Sequence, residues 1–157
     1  MKKIKNIVLL VVASSLLTAC GPGAKDSHPQ QLLTKRIAIF KNFTKTLEPM
    51  GLVARDRKEY VKAEFAAQAQ ALQELSTQPW PYFSADGNYP PTRAKPEVWT
   101  NASGFKNAQD NYLVAVNQLV TASGNADLPA IRNSVDAVQK SCKNCHDQFR
   151  SDTPNGQ

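Results

Sequence analysis

The sequence is poor in side chains that bind metals or act as nucleophiles. Its 157 residues hold three cysteines, two histidines and two methionines. A structural zinc site takes four ligands. Cys142, Cys145 and His146 supply three, and the only other histidine, His28, lies far along the chain. No arginine-rich stripe is present, so the electrostatic footprint of a nucleic-acid binder is missing and no nucleic-acid partner is expected. There is no internal repeat, no low-complexity tract and no stretch with convincing strand alternation. The one long apolar run, IVLLVVASSLL, is shorter than the ~20 residues that span a bilayer. A chain of this length makes one domain and buries a core without disulfide staples.

That apolar run follows the basic stretch MKKIKN, which is the order of a secretory signal. An ordinary cleavage site asks for small residues at its last and third-last positions, and here those are Ala19 and Leu17. LTAC instead resembles a bacterial lipobox, in which Cys20 becomes the first mature residue and is acylated. Residues 1–19 are therefore expected to be a lipoprotein signal peptide. Gly21 rather than Asp follows the cysteine, which in lipoproteins implies outer-membrane sorting. The expected location is periplasm-facing and lipid-anchored, at the outer membrane of a Gram-negative bacterium. Each buried CH₂ contributes ~0.8 kcal/mol, so two or three acyl chains anchor stably. Residues 20–29 read as the lipidated cysteine and a flexible tether, and 30–157 as the folded domain. Without Lys2, Lys3 and Lys5 the net charge falls from +6 to about +3.

Four stretches carry helical period. Residues 30–48 place Leu33, Ile37, Phe40 and Leu47 on one face, flanked by Leu32 and Phe43, and EPMG is expected to stop that helix. Residues 57–76 align Val61, Phe65, Leu72 and Leu75 and end at TQPWPYF. SADGNYPPTRAKP is too rich in Pro, Gly and Asn to be regular. Residues 100–122 present Phe105, Ala108, Tyr112, Ala115 or Val116, and Leu119. Asp127 is the expected N-cap of the fourth helix, with Pro129 in its first turn. That helix carries Leu128, Ile131, Val135, Val138, Cys142, Cys145 and Phe149 at alternating spacings of three and four. Such amphipathic helices with mostly short links predict an all-α fold, an antiparallel four-helix bundle.

SCKNCHDQFR, residues 141–150, concentrates the chemistry. Cys142, Cys145 and His146 stand at i, i+3 and i+4, on one face of the last helix and on its core stripe. C-x-x-C-H is the sequence signature of c-type haem attachment. Two thiols three residues apart can add across the two vinyl groups on one porphyrin edge, and the adjacent histidine then reaches under the ring to bind iron. A thioredoxin-like pair would want a βαβ context, which is absent, and a structural disulfide would leave His146 idle. The expected cofactor is one covalently attached haem c per chain, in the core of the bundle.

A C-terminal C-x-x-C-H on the last of four helices resembles cytochrome c′, the class II c-type cytochromes. Most c-type cytochromes carry the motif near the N-terminus instead. The likeness spans about residues 30–150, with STQPWPYF and RAKPEVW in supporting places. The family has an arginine in the first helix that Arg36 matches, and Arg36 reads either as an exposed charge on a polar face or as a partner for a haem propionate. The match places Phe40, four residues on, over the sixth position of the iron. Low-spin relatives that transfer electrons have methionine there. Phenylalanine has no donor atom, so five-coordinate iron is expected. NO and CO need no distal donor, whereas O₂ gains from a hydrogen bond that an apolar pocket denies. The resemblance also matches Arg150 to the family's proximal arginine, on the face where NO can displace the histidine.

Other side chains have plainer readings. Met50, the sole methionine after the signal, lies about three turns beyond Phe40 (~15 Å) and is not expected to reach the iron. His28 is expected in solvent, and Trp80 and Trp99 at the loop and bundle ends. Lys106, Lys140 and Lys143 could form a docking patch, though scattered lysines read more safely as solvated. The expected function is binding of NO, and of CO, at an open iron. Its expected role is trapping NO in the periplasm with the help of an unidentified electron donor. The family resemblance implies a homodimer through the first two helices. A membrane-tethered electron shuttle with six-coordinate haem is the alternative. Catalysis ranks last, because no distal acid–base group is visible.

Overall fold

Amphipathic helices bury their apolar stripes on one another in a ring of four. The computed structural model describes residues 26–125 and 127–153. Its helices are α1 (Leu32–Ala54), α2 (Lys62–Ser76), the single turn α3 (Glu97–Thr100), α4 (Ala102–Asn125) and α5 (Leu128–Phe149). The four long ones form the antiparallel bundle, and each packs on its two neighbours in the ring. Cys20 and the expected signal peptide lie outside the described residues. Among the described residues the nearest approach to a strand is an isolated antiparallel bridge between Ala94 and Arg150, and no helix is long and apolar enough to cross a membrane. Phe65, Leu72, Val116, Leu119, Ile131, Val135 and Val138 fill the centre with almost no exposure. Full burial of such side chains contributes about 1.5–3 kcal/mol each.

The helices differ from the sequence expectation in their ends, in one face and in one cap. α1 does not stop at Pro49 but runs on to Ala54, because Met50 and Val53 are core residues. Their burial outweighs the one ladder bond that proline forgoes. Gly51 suits this close packing: a Cβ there would stand 3.1 Å from Gln139 Nε2 of α5. The buried face of α1 is also rotated, so that Arg36 and Phe43 turn inward while Ile37 is 44% exposed. α2 begins at Lys62 rather than at 57, which leaves Val61 exposed. The third stretch divides at Asn101, whose Oδ1 accepts the Gly104 N–H at 3.1 Å and so caps α4. Asp127 does stand at the N-cap of α5, but its side chain makes no capping bond.

Residues 26–29, expected in the tether, are held against the domain. Asp26 Oδ2 accepts the N–H and the hydroxyl of Thr34, each at 2.8 Å. Tyr89 Oη donates to Asp26 Oδ1 at 2.8 Å and accepts the Leu33 N–H at 2.9 Å. The first turn of α1 is thus capped by side chains from outside the helix, which satisfies N–H groups that have no intrahelical partner. His28, expected in solvent, stacks on Tyr89 with ring centroids 4.8 Å apart.

Candidate cofactor site

The C-terminal end of α5 brings Cys142, Cys145 and His146 together. Both cysteines are unbridged thiols of intermediate burial. Burial raises the Cys142 pKa, and burial followed by the neighbouring Cys142 pushes Cys145 up to about 11. Protonated thiols of this kind are poor nucleophiles and poor redox partners, which weighs against a thioredoxin-like pair. His146 reaches solvent, yet its pKa is lowered, first by the surrounding protein and then by the Arg150 charge. A neutral imidazole is the form that binds a metal. Among the described residues no cluster of three or more His, Cys, Asp or Glu could hold a bare metal ion.

A concavity of ≈ 840 Å³ opens beside this motif, lined by Cys142, His146, Gln139, Lys143 and Arg150 among others. Its size falls in the range of roughly 300–1,000 Å³ usual for bound organic ligands. Arg150 is exposed there, one residue past α5. It is held by Ala94 across the backbone bridge, with Ser151 donating its N–H to Arg93 O at 2.8 Å.

Facing α5 stands a shell of aromatic rings. Phe40 meets Phe43, Trp80 and Phe83 edge-on, with centroids at 5.3, 6.3 and 6.2 Å. Phe83 meets Phe105 at 5.1 Å, and Phe105 meets Phe149 at 5.2 Å. Trp80 and Phe83 reach this shell because residues Trp80–Phe83 form a 3₁₀ turn. Trp99 holds that turn by donating its indole N–H to Phe83 O at 3.0 Å and Ser84 O at 2.9 Å. Phe40 and Cys142 pack on the same core cluster.

Arg36 is 3% exposed, so it is not a solvated charge on a polar face. It donates to Tyr82 O and to Thr92 Oγ1, each at 3.1 Å, and its guanidinium lies 4.5 Å from the centre of the Phe83 ring. Burial lowers its pKa, while Tyr89 and Asp26 act to raise it. Gly87 makes the room: a Cβ there would stand 2.8 Å from Tyr82 O and 3.0 Å from Arg36 Nη1.

The candidates for a second iron ligand are engaged elsewhere. Met50 is fully buried in the main core, and His28 accepts the Gln30 N–H at Nδ1. Lys106, Lys140 and Lys143 each pair with an aspartate four residues away, which offsets the positive charge a docking patch needs. Two polar atoms in the shell were invisible to pattern reading. Tyr112 Oη and Trp80 Nε1 are buried without a hydrogen-bond partner among the described residues, so the pocket is less purely apolar than the sequence suggests. Helical spacing marks Tyr112 as core and the loop sequence marks Trp80 as packing, but neither pattern says anything about the polar tips.

Paired thiols at i, i+3, a neutral histidine, a concavity and an aromatic wall fit a covalently bound haem. A helical bundle with such a site is a c-type haem protein. Residues 31–150 match the family model described as Cytochrome C', and the chain belongs to that family, whose cofactor is haem c. The cytochrome c' of Halomonas halodenitrificans is 32% identical over 132 residues, 80% of this chain and 100% of its own. A nitric oxide complex of a mutant cytochrome c prime from Alcaligenes xylosoxidans superposes with a TM-score of 0.74 at 27% identity, covering 80% of this chain and 98% of that one. A carbon-monoxide-bound variant of the same protein gives the same TM-score, identity and coverage.

Proposed function

We propose that this chain binds NO, and CO, at a five-coordinate haem iron and traps NO on the periplasmic side of an outer membrane. One observation carries the reading. Phe40, which the family resemblance sets over the iron, is boxed by Phe43, Trp80 and Phe83 and offers no donor atom, while Met50 and His28 are engaged elsewhere. Bound haem supplies an iron whose open position takes a diatomic ligand. Cys142 and Cys145 would hold it through thioethers, and His146 would bind its iron. Arg36 anchors the 80–92 loop that carries the Phe83 wall, and it would be a propionate partner if the loop shares it with the haem. Arg150 places a positive charge beside His146, where it favours the neutral imidazole. The gas complexes of the structural relatives support the same reading. The location rests on LTAC and Cys20.

The test is the optical spectrum of the purified haem-loaded domain, ferric and ferrous, before and after NO. A broad high-spin ferrous Soret band that shifts with NO supports open iron. Sharp α and β bands unmoved by NO or CO would mean a sixth protein ligand, and the electron shuttle would replace this reading.

A further inference from the structure

Tyr112 sits in the middle of α4 at 5% exposure, and its hydroxyl has no partner among the described residues. An unpaired buried hydroxyl forfeits its hydration with nothing in return, and native structures hold few of them. Phenylalanine would fill the same space without that cost. Trp80 Nε1 is a second buried donor without an acceptor, and its ring lies 6.2 Å from that of Tyr112. Tyr112 in turn stacks on Phe43 at 5.5 Å, and Phe43 is an edge-on neighbour of Phe40. Both donors therefore belong to the aromatic shell around Phe40, and Cys142 packs on the same cluster. The other two unpaired atoms, Tyr60 Oη and Arg132 Nε, belong to residues at the far end of the bundle, beside the α1–α2 turn and the start of α5.

Two donors without acceptors in one place imply an acceptor supplied from outside the described residues, and a bound cofactor is the nearest source. A c-type haem site offers three kinds. Propionates lie on the porphyrin edge opposite the thioethers, whereas Tyr112 and Cys142 share one packed cluster. Thioether sulfur is a weak acceptor. The remaining acceptor is the outer atom of a ligand on the iron. Burial, and then the nearby Cys142, push the Tyr112 pKa far above the ordinary tyrosine range, so the hydroxyl stays a donor at any physiological pH.

We propose that the Tyr112 hydroxyl donates a hydrogen bond to the outer oxygen of a diatomic ligand at the haem iron, beside the Trp80 indole N–H. The pocket would then hold oxygen-terminated diatomics by contact as well as by iron bonding. This inference rests on the gas-binding reading above.

The test is the infrared spectrum of the ferrous CO complex of the haem-loaded protein, wild type and Tyr112→Phe, in H₂O and D₂O. A hydrogen bond to the CO oxygen lowers its stretch. The expected result is a wild-type band that moves in D₂O. In Tyr112→Phe the band should lie at higher wavenumber and ignore deuterium. CO should also leave the variant up to roughly tenfold faster, the factor that about 1.4 kcal/mol supplies. Identical bands in both proteins, unmoved by deuterium, overturn the proposal. Deuterium sensitivity that persists in Tyr112→Phe assigns the bond to Trp80 and overturns it equally. If Tyr112→Phe does not fold, Trp80→Phe takes its place, and deuterium sensitivity must survive there. Failure of the wild type to bind CO at all overturns the gas-binding reading, and this inference with it.

Discussion

Cys142, Cys145 and His146 are neighbours in sequence but differ in what they ask of their surroundings. The cysteines need only be reduced and correctly spaced, so replacing either with alanine should leave a single thioether. The pyridine haemochrome spectrum of Cys142→Ala is expected to show an α band displaced to longer wavelength, and an unchanged band would mean that this thiol is not bonded to haem. Asp26 makes a different prediction. Burial acts to raise its pKa, but the hydrogen bonds from Thr34, Tyr89 and His28 prevail and lower it from 3.8 to about 2. A carboxylate whose pKa falls on folding stabilises the fold above its unfolded value and loses that effect as pH drops through the folded one. Acid destabilisation should therefore deepen between about pH 4 and about pH 2, and Asp26→Asn should flatten that limb in thermal melts. The effect is modest, because the group is open to solvent and screened.

At the scale of the element, α1 does two jobs on one face. Its C-terminal half packs the core through Met50 and Val53, while its N-terminal half turns Arg36 and Phe43 inward. Ile37, an expected core residue, faces out at 44% exposure. Ile37→Ser should therefore change stability by less than about 0.5 kcal/mol, whereas Phe43→Ala should cost about 3–5 kcal/mol. Chemical denaturation of the haem-loaded domain separates the two, and equal losses would mean that the face is misassigned. Arg36→Ala removes two buried charge-assisted bonds and the contact with Phe83, an expected loss of about 2–3 kcal/mol. Arg36→Lys should recover little of it, since one ammonium does not replace a planar fork that reaches Tyr82 and Thr92 together.

Across the whole molecule, function collects at one end of the bundle. The C-terminus of α5, the 3₁₀ turn at Trp80–Phe83 and the start of α1 all lie there. The 93–95 strand-like segment ties that end to the residues just past α5, with Lys95 donating its N–H to Phe149 O at 2.9 Å. The described residues begin at the same end, at Asp26, so a lipid on Cys20 would tether the protein close to the end that carries the C-x-x-C-H motif. Cys20→Ser should move the protein from the membrane fraction to the soluble periplasmic extract with its spectrum intact. A membrane-bound Cys20→Ser protein would remove the lipid anchor from the reading.

What the sequence determined by itself is local. C-x-x-C-H specifies its chemistry because two thiols and an imidazole at i, i+3 and i+4 need only a helix to stand together. The four periodic stretches likewise announced four helices, since a 3.6-residue period is a property of each segment alone. Only the tertiary structure decided where α1 ends, because Pro49 opposes the helix locally and the core favours it through Met50 and Val53. It also decided that Arg36 is buried, since its acceptors Tyr82 and Thr92 lie 46 and 56 residues away. The Asp26–Tyr89 bond spans 63 residues, and the unpaired Tyr112 hydroxyl exists only once the surrounding shell has closed. Such contacts depend on which distant groups folding brings together, and no local pattern in the chain records them.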